Sequence, residues 1–525
     1  MLELTTTAAR EGRLVADALA DADAAEAFWG SLPRRDPIEM QRRLCEVLAK
    51  GAWWEKPEVE RFRALRVLDR RAGRLLEGIV AQYAVLEGES PVLERPLWHA
   101  ALELSRSFAH DFDRFLHAVR AEDSSGSWLE RTPEILVRLF QHREIELLLA
   151  LFRYLKWPRG RWTSLHELFR FATASGFAAQ AVPMGKRADG SIITVTPEQV
   201  YVRILLLQLL DGGQFRPEEI AWARRAIVDW SENLELRKLR ALPQENECQD
   251  GFVVDLAGTK GLTRIDAATA GDLLWLDTTP IRESISAAMA ERAEVPIAGT
   301  SMTLRSSQPR LLGKLQLLYA PQPTRIKRRG ERAPVGLTPV EAKLGGLQTL
   351  FRAVREETQR EAVPATMWQV KDRSDSGSRL RGHVPDARRL LPGLLFAFRE
   401  DHGRPWTVAV LRRLNRLTGN HVEIGVEHIG RDPQPVILLS RPDGQPIGAA
   451  PEAESERFIA LYLPESDAYP KTPVETLLIP GREFALGRVL TLRSTTREVA
   501  IRLKRALEHQ AEFVWAVFEP LDAAA

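Results

Sequence analysis

The sequence contains little cysteine and no long apolar run. Cys45 and Cys248 are the only two cysteines among 525 residues and have no metal-ligand spacing, so they predict reduced thiols rather than a disulfide framework or a zinc site. The most apolar run, residues 204–210, contains Gln208 and is too short to cross a bilayer. Residues 1–13 lack a basic segment leading into an apolar core. We therefore expect a cytoplasmic protein with no membrane span.

Motifs of common enzymes are also absent. The chain has no G-x-S-x-G elbow, no H-E-x-x-H pair, no Walker A sequence and no G-x-G-x-x-G turn. His110, Asp113 and His117 share one helical face, but this face lies opposite an apolar stripe and is interpreted as solvated rather than metal-binding. Lys and Arg number 73 against 71 Asp and Glu, and the net charge of +2 argues against nucleic acid as the partner. We expect no enzymatic activity, no metal and no cofactor.

Residues 1–242 show a helical pattern. Apolar residues between Trp98 and Val119 recur at helical spacing and predict one long amphipathic helix. Further helix starts are indicated by a proline and by two capping boxes, at Thr132-Pro133, Ser164-x-x-Glu167 and Thr196-Pro197-Glu198-Gln199. With 44% hydrophobic and 27% charged residues, the chain is long enough for three or four globular domains. The first of these is predicted to be all-helical.

The pattern changes after a polar linker at residues 243–247, and we expect limited proteolysis to cut first between Pro243 and Asp250. Residues 250–324 contain short strand patterns and partly parallel the later run of residues 368–398, with Ala257 at the position of Ser374. We interpret them as a strand-containing connector or as a degenerate copy of the next domain.

Two strand-rich domains are predicted after this connector. Residues 325–435 contain short segments rich in branched and aromatic residues, separated by turn signals, and predict a small antiparallel barrel. Residues 436–525 predict a further barrel or sandwich, in which residues 498–512 alternatively form a helix. The expected fold class is therefore a multidomain α+β protein, with a helical N-terminal half followed by small antiparallel β-barrels.

A cluster of five cations at residues 325–332 precedes the first barrel. Arg328 and Arg332 are four residues apart, and Gly330 allows a sharp bend between them. Two planar guanidinium groups so spaced can contact a phosphate bidentately or bind the O6 and N7 edge of guanine. The alternative for such a run is a solvated surface.

A polar turn follows about forty residues later. Residues 367–371 alternate apolar with longer or polar side chains, as in a half-buried strand. Asp372 and Ser374 then open a turn that Gly377 closes, and their oxygens are acceptors suited to the N1 and N2 edge of guanine. The two segments together predict a site for a guanine nucleotide.

These two motifs resemble the paired signatures of the PilZ domain, the bacterial receptor module for cyclic di-GMP. The R-x-x-x-R signature falls on Arg328 and Arg332, and the (D/N)-x-S-x-x-G signature on Asp372, Ser374 and Gly377. The resemblance covers residues 325–432, about a fifth of the chain, and residues 406–429 also resemble the later strands of the family.

The resemblance implies a role for each of these residues. Arg328 and Arg332 would hold phosphates or guanine, with help from Arg329. Asp372 and Ser374 would bond the base or the ribose phosphate, and Gly377 would permit close approach. One departure from the family pattern is an amphipathic stretch at residues 339–361, which predicts a helix inserted between the two motifs.

The function so implied is that of a receptor without catalysis. The chain lacks the G-G-D-E-F and E-A-L signatures of the enzymes that make and degrade cyclic di-GMP. Ligand binding is expected to order residues 325–332 against the barrel and to alter a surface of the helical half that contacts an unidentified protein partner. The alternatives are a protein-interaction scaffold with a non-binding barrel, and an RNA- or DNA-binding protein that uses the basic cluster.

Overall fold

The computed structural model describes most of the chain. The described residues are 17–50, 58–86, 91–121, 128–187, 189–238, 251–264, 273–290, 302–320, 333–356, 366–385, 390–401, 403–418, 420–440, 456–465, 474–494, 498–510 and 512–521. The polar linker at residues 243–247 lies outside them. The chain divides into two compact units, one comprising Met1–Asp211, Pro217–Ser301 and Pro309–Thr324, the other Gly212–Arg216, Met302–Gln308 and Arg325–Ala525. The fourfold domain division drawn from the sequence stays a prediction.

The first unit is mainly helical, which confirms the prediction for the N-terminal half. Its N-terminal helices are α1 (Ala22–Ser31), α2 (Pro37–Lys50), α3 (Val59–Leu86), α4 (Pro91–Ala121), α5 (Thr132–Phe152), α6 (Arg159–Ala174), α7 (Pro197–Gln208) and α8 (Pro217–Trp230). The long helix predicted around residues 98–119 is α4, and its apolar face packs against α5. None of the described helices combines the length and the hydrophobicity that crossing a membrane requires.

The helix boundaries follow local signals in one case and depart from them in another. Thr196 caps α7 as predicted, because its side chain accepts a hydrogen bond from the Gln199 backbone N–H at 3.1 Å and its own N–H donates to Gln199 Oε1 at 2.9 Å. The capping box at Ser164 was wrong: Ser164 lies inside α6, which begins at Arg159 after Pro158.

The helical half also contains an antiparallel hairpin that helical periodicity did not indicate. Its strands are β1 (Val182–Lys186) and β2 (Ile192–Val195), with an irregular register between Pro183 and Gly185. The hairpin turns at Gly190, where φ is +87° and a side chain would be strained.

The connector contributes three strands to a four-stranded antiparallel sheet, whose remaining strand comes from the end of the predicted helical domain, and helices follow. The sheet has the order β3-β6-β4-β5 and consists of β3 (Leu236–Lys238), β4 (Gly251–Asp255), β5 (Thr263–Arg264) and β6 (Leu273–Asp277). Helices α9 (Thr279–Ala290) and α10 (Met302–Leu318) follow it. The described part of this segment therefore has strands, as predicted, but arranged as an open sheet and not as a closed six-stranded barrel.

The second unit contains two closed six-stranded barrels, which confirms the predicted fold class. The first barrel has the strand order β10-β11-β12-β9-β8-β7, all pairs antiparallel. Its strands are β7 (Ala333–Leu344), β8 (Thr366–Ser374), β9 (Gly377–His383), β10 (Leu395–Arg399), β11 (Thr407–Arg416) and β12 (His421–Arg431). Trp368 is buried among these strands edge-on to Phe396, and Gly382 makes room for it, because a Cβ there would lie 2.4 Å from the indole ring.

The helix predicted between the two motifs is present but shorter than expected. Residues up to Leu344 belong to strand β7, and α11 spans Leu347–Glu356, so the helical prediction for the part before residue 345 was wrong. Leu350 and Phe351 of α11 are buried in an apolar cluster that also contains Trp406 of the first barrel and Trp515 of the second. The inserted helix therefore packs against both barrels.

The second barrel closes in the order β13-β14-β15-β18-β17-β16. Its strands are β13 (Gln434–Ser440), β14 (Arg457–Leu463), β15 (Thr476–Pro480), β16 (Val489–Arg493), β17 (Glu498–His509) and β18 (Phe513–Pro520). The helical alternative for residues 498–512 was wrong, since β17 pairs with both β16 and β18. Arg412 of the first barrel forms a two-pronged ion pair with Glu508 of β17 and bonds Glu427 at 2.7 Å, which ties the barrels together.

Candidate ligand site on the first barrel

The predicted turn is the two-residue connection between β8 and β9. Ser374 and Gly377 are paired across the hairpin, and Asp375 and Ser376 form the exposed tip. The Ser374 hydroxyl donates to the Gly377 carbonyl at 3.2 Å, which closes the turn. Asp372 continues the buried face of β8, where its carboxylate is only slightly exposed. The structure thus brings Asp372, Ser374 and Gly377 together in one hairpin end.

Gly377 has a specific packing reason in this hairpin. A Cβ at this position would lie 2.5 Å from the carbonyl oxygen of Val426 on β12. Every other residue type would therefore push β9 away from β12. The close approach that Gly377 permits in the structure is that of the neighbouring strand.

His428 of β12 contacts the turn through its backbone and through its imidazole ring. Its backbone N–H donates to the Ser376 carbonyl at 3.0 Å, and its Nε2 lies 2.9 Å from the Ser378 hydroxyl. Burial lowers the pKa of His428 from 6.5 to about 4, with the charge of Arg373 acting in the same direction, so the imidazole is neutral at pH 7. A neutral, packed imidazole holds the turn in one position on the barrel.

Charged side chains surround Asp372 on the same hairpin. Arg379 Nε lies 2.7 Å from Asp372 Oδ2, and its Nη1 lies 3.6 Å from Glu423 of β12. Lys371 reaches the same Glu423 at 3.0 Å. The Arg379 side chain is nearly half exposed, so its ion pair with Asp372 is partly accessible to solvent.

Arg373, between the two predicted acceptors, adds a donor that the motif does not specify. Its guanidinium pairs with Glu400 and lies 6.0 Å from the ring centre of Phe398. The Arg373 Nε is buried and has no acceptor within the described part of the chain. This Nε is an unsatisfied buried donor next to the turn.

The predicted arginines, Arg328, Arg329 and Arg332, lie outside the described residues. The residue that follows them directly, Ala333, begins β7 and is paired with Arg373, and Pro334 is paired with Asp372. The first residues of β7 thus lie beside the last residues of β8, at the same end of the barrel as the turn.

The helical unit contains a buried Ser–His–Asp arrangement. His142 Nε2 lies 2.7 Å from Asp69, and its Nδ1 lies 3.4 Å from the Ser105 hydroxyl. All three side chains are buried, and the Ser105 hydroxyl donates to the His142 carbonyl at 3.0 Å. Arg138 closes the network on Asp69. Across the described residues, no group of three or more His, Cys, Asp or Glu side chains is placed to hold a metal ion.

Comparison with known proteins places the similarity on the helical half. The family described as "Cyclic-di-GMP receptor FimW, N-terminal domain" matches residues 23–242, which is less than half of the chain. No curated protein matches the chain significantly.

Among solved structures, the chain matches MrkH, which is described as a c-di-GMP-dependent transcription regulatory factor. The match has 10% sequence identity, covers 38% of this chain and 90% of that chain, and has a TM-score of 0.13. A likeness this low carries no argument about the fold or the ligand of this chain. What the comparisons show is a helical half similar to the N-terminal domain of a cyclic di-GMP receptor family.

Proposed function

We propose that this chain is a non-enzymatic receptor for cyclic di-GMP, with the ligand held on the first barrel. The observation that carries the proposal is the pairing of Ala333 and Pro334 with Arg373 and Asp372. It joins the segment that bears Arg328 and Arg332 to the barrel beside the Asp372–Gly377 turn. The matched receptor family supports the same ligand from the other half of the chain.

In this proposal the arginines and the turn bind different parts of the ligand. Arg328 and Arg332, assisted by Arg329, bind the phosphates and the guanine O6 and N7 edge. Asp372 and Ser374 accept hydrogen bonds from the guanine N1 and N2 edge or bond the ribose phosphate. These contacts are binding contacts, and no step of catalysis is assigned to them.

Ligand binding is further proposed to change a surface of the helical half that contacts a protein partner. Residues 325–332 follow one of the places where the chain passes from the helical unit to the barrel unit, so a ligand bound to them acts on one of the connections between the units. Such coupling requires that the ligand favour one arrangement over the other, and typical coupling energies are about 1–3 kcal/mol.

Calorimetric titration of the full chain tests the binding. We expect cyclic di-GMP to bind at micromolar affinity or better, and Arg328→Ala or Arg332→Ala to weaken it by about tenfold or more, since one charge-assisted contact contributes about 1.5–3 kcal/mol. Stronger binding of single-stranded RNA would instead favour a nucleic-acid-binding protein. Absence of any cyclic di-GMP binding would favour a protein-interaction scaffold.

A further inference from the structure

We propose that the helical unit contains a second binding site, for a small phosphate-bearing ligand of nucleotide size. The site is a cleft of about 690 Å³ between α3 and the β1–β2 hairpin. Its residues belong to the helical unit alone and share none with the turn at Asp372. Variants can therefore be placed in this cleft without changing any residue of the barrel site, and the reverse.

One wall of the cleft is a row of arginines on α3. Arg66, Arg70 and Arg74 follow each other at four-residue spacing, so the helix presents all three on one face. With a rise of 1.5 Å per residue, the row extends over about 12 Å along the helix. Arginine side chains at this spacing repel each other, and a ligand with more than one phosphate removes that repulsion.

The positive charge of this row is incompletely neutralised. Arg66 reaches Glu134 only at 3.4 Å and Arg70 reaches Glu26 only at 3.6 Å, and both arginine side chains are about half exposed or more. No carboxylate among the described residues pairs with Arg74, nor with Lys186 at the hairpin edge of the cleft. The cleft is therefore a cationic site with donors available for an anion.

A buried arginine forms part of the cleft lining and is held in a fixed orientation. Arg138 of α5 has a side chain 6% exposed, and its Nε and Nη2 donate to Glu134 at 3.0 and 2.8 Å. Its Nη1 is bound to Asp69, which His142 holds in turn. This network gives the cleft a rigid polar lining, as a preformed ligand site requires.

The opposite wall is apolar and belongs to the hairpin. Pro183, Met184 and Ile192 line it, and the Ile192 side chain is left 58% exposed on a hairpin of only two strands. An apolar wall facing a cationic wall fits a ligand with a flat apolar part and phosphates on one side. A nucleotide has this chemistry, whereas an inorganic anion would use only the arginines.

The size and surroundings of the cleft favour a small ligand over a nucleic acid strand. Its volume lies within the range of roughly 300–1,000 Å³ that is usual for small-molecule sites. Glu26 and Glu134 flank the arginine row, and the net charge of the whole chain is only +2, so a long polyanion meets carboxylates beyond the cleft.

The test is a binding experiment on the full chain with two charge-matched variants. The cleft variant is Arg70→Glu/Arg74→Glu, in which two arginines of the cleft are replaced. The control is Arg63→Glu/Arg225→Glu, which changes the same charge at exposed arginines outside the cleft. Circular dichroism and urea unfolding establish that both variants are folded. The probes are ATP, GTP, cyclic di-GMP, pyrophosphate and a single-stranded DNA oligonucleotide of roughly 20 nucleotides.

We expect at least one nucleotide to bind more tightly than pyrophosphate. The affinity of this nucleotide should fall by about tenfold or more in the cleft variant and should be unchanged in the control. Equal losses in both variants, or tighter binding of the oligonucleotide than of every nucleotide, would overturn the proposal.

Arg332→Ala separates this site from the barrel. If Arg332→Ala abolishes the binding of every probe that binds, and the cleft variant binds them all, the site in the cleft is refuted and the barrel receptor is supported. If only the cleft variant loses the binding of cyclic di-GMP, the site in the cleft is supported and the barrel receptor is refuted.

Discussion

The turn at Asp372 depends on two residues whose contacts lie far away in sequence. Gly377 lets β9 approach the Val426 carbonyl, and His428 bonds Ser378 and the backbone of Ser376 from β12. The motif D-x-S-x-x-G specifies the glycine but not the histidine. His428 is fifty positions from Ser378, so only the closure of the barrel reveals the contact.

Replacing Gly377 with alanine is expected to destabilise the barrel by about 1–3 kcal/mol, because the added Cβ overlaps the Val426 oxygen and forces the strands apart. Urea unfolding measures the loss. Gly403→Ala is the matched control, since no atom lies within 4 Å of a Cβ there and its effect should stay within about 0.5 kcal/mol. Equal stability of both variants would contradict the packing argument.

His428 gives the barrel a pH dependence of known sign. The pKa of His428 is about 4 in the folded chain against an ordinary value of 6.5, so the unfolded chain binds the proton more readily between these values. The contribution of the neutral imidazole is therefore complete above pH 6.5 and is lost as the pH falls towards 4, by about 3 kcal/mol in total.

The variant His428→Gln isolates this contribution. It should flatten the fall in unfolding free energy between pH 6.5 and 4, as measured by urea unfolding at several pH values. If the wild type and the variant lose stability in parallel over this range, His428 is not the titrating group.

Among the elements, the inserted helix α11 was predictable from the sequence, but its first residue was not. Val340 and Leu344 of β7 and Leu347 of α11 recur at spacings that also fit one helix, so strand and helix merged into a single helical pattern. The signal that separates them is Gly345-Gly346, with φ of +152° at Gly345.

The β1–β2 hairpin carried a local signal as well. Asp189-Gly190 is a turn dipeptide, and the Asp189 carboxylate accepts a hydrogen bond from the Ser191 N–H at 2.9 Å. The helical patterns around it hid this signal. By contrast, the barrel strands were predictable, because their alternating burial leaves a period of two in the sequence.

The position of α11 predicts that it stabilises both barrels. Leu350→Ala removes a fully buried side chain from the cluster that α11 shares with them, and should cost about 2–5 kcal/mol in urea unfolding. Arg352→Ala, at an exposed position of the same helix, serves as the control and should leave the stability nearly unchanged. A small effect of Leu350→Ala would mean that α11 is not part of the core.

In the whole molecule, a ligand bound to the barrel unit is proposed to change a surface of the helical unit. Hydrogen exchange with and without cyclic di-GMP tests this coupling. We expect altered protection at the turn around Asp372 and also in the helical half, at residues before 320. Changes confined to residues 325–432 would show that the barrel binds the ligand passively.

We propose that the arginine segment at residues 325–332 and the Asp372–Gly377 turn bind cyclic di-GMP together. The most direct measurement is a calorimetric double-mutant cycle on the full chain, with Arg332→Ala, Asp372→Ala and the double variant, and with Arg352→Ala as a control. Shared binding predicts that each site variant weakens binding by about tenfold or more, that the double variant loses less than the sum of the two, and that the control binds as the wild type does. Unchanged affinity in both single variants would contradict it.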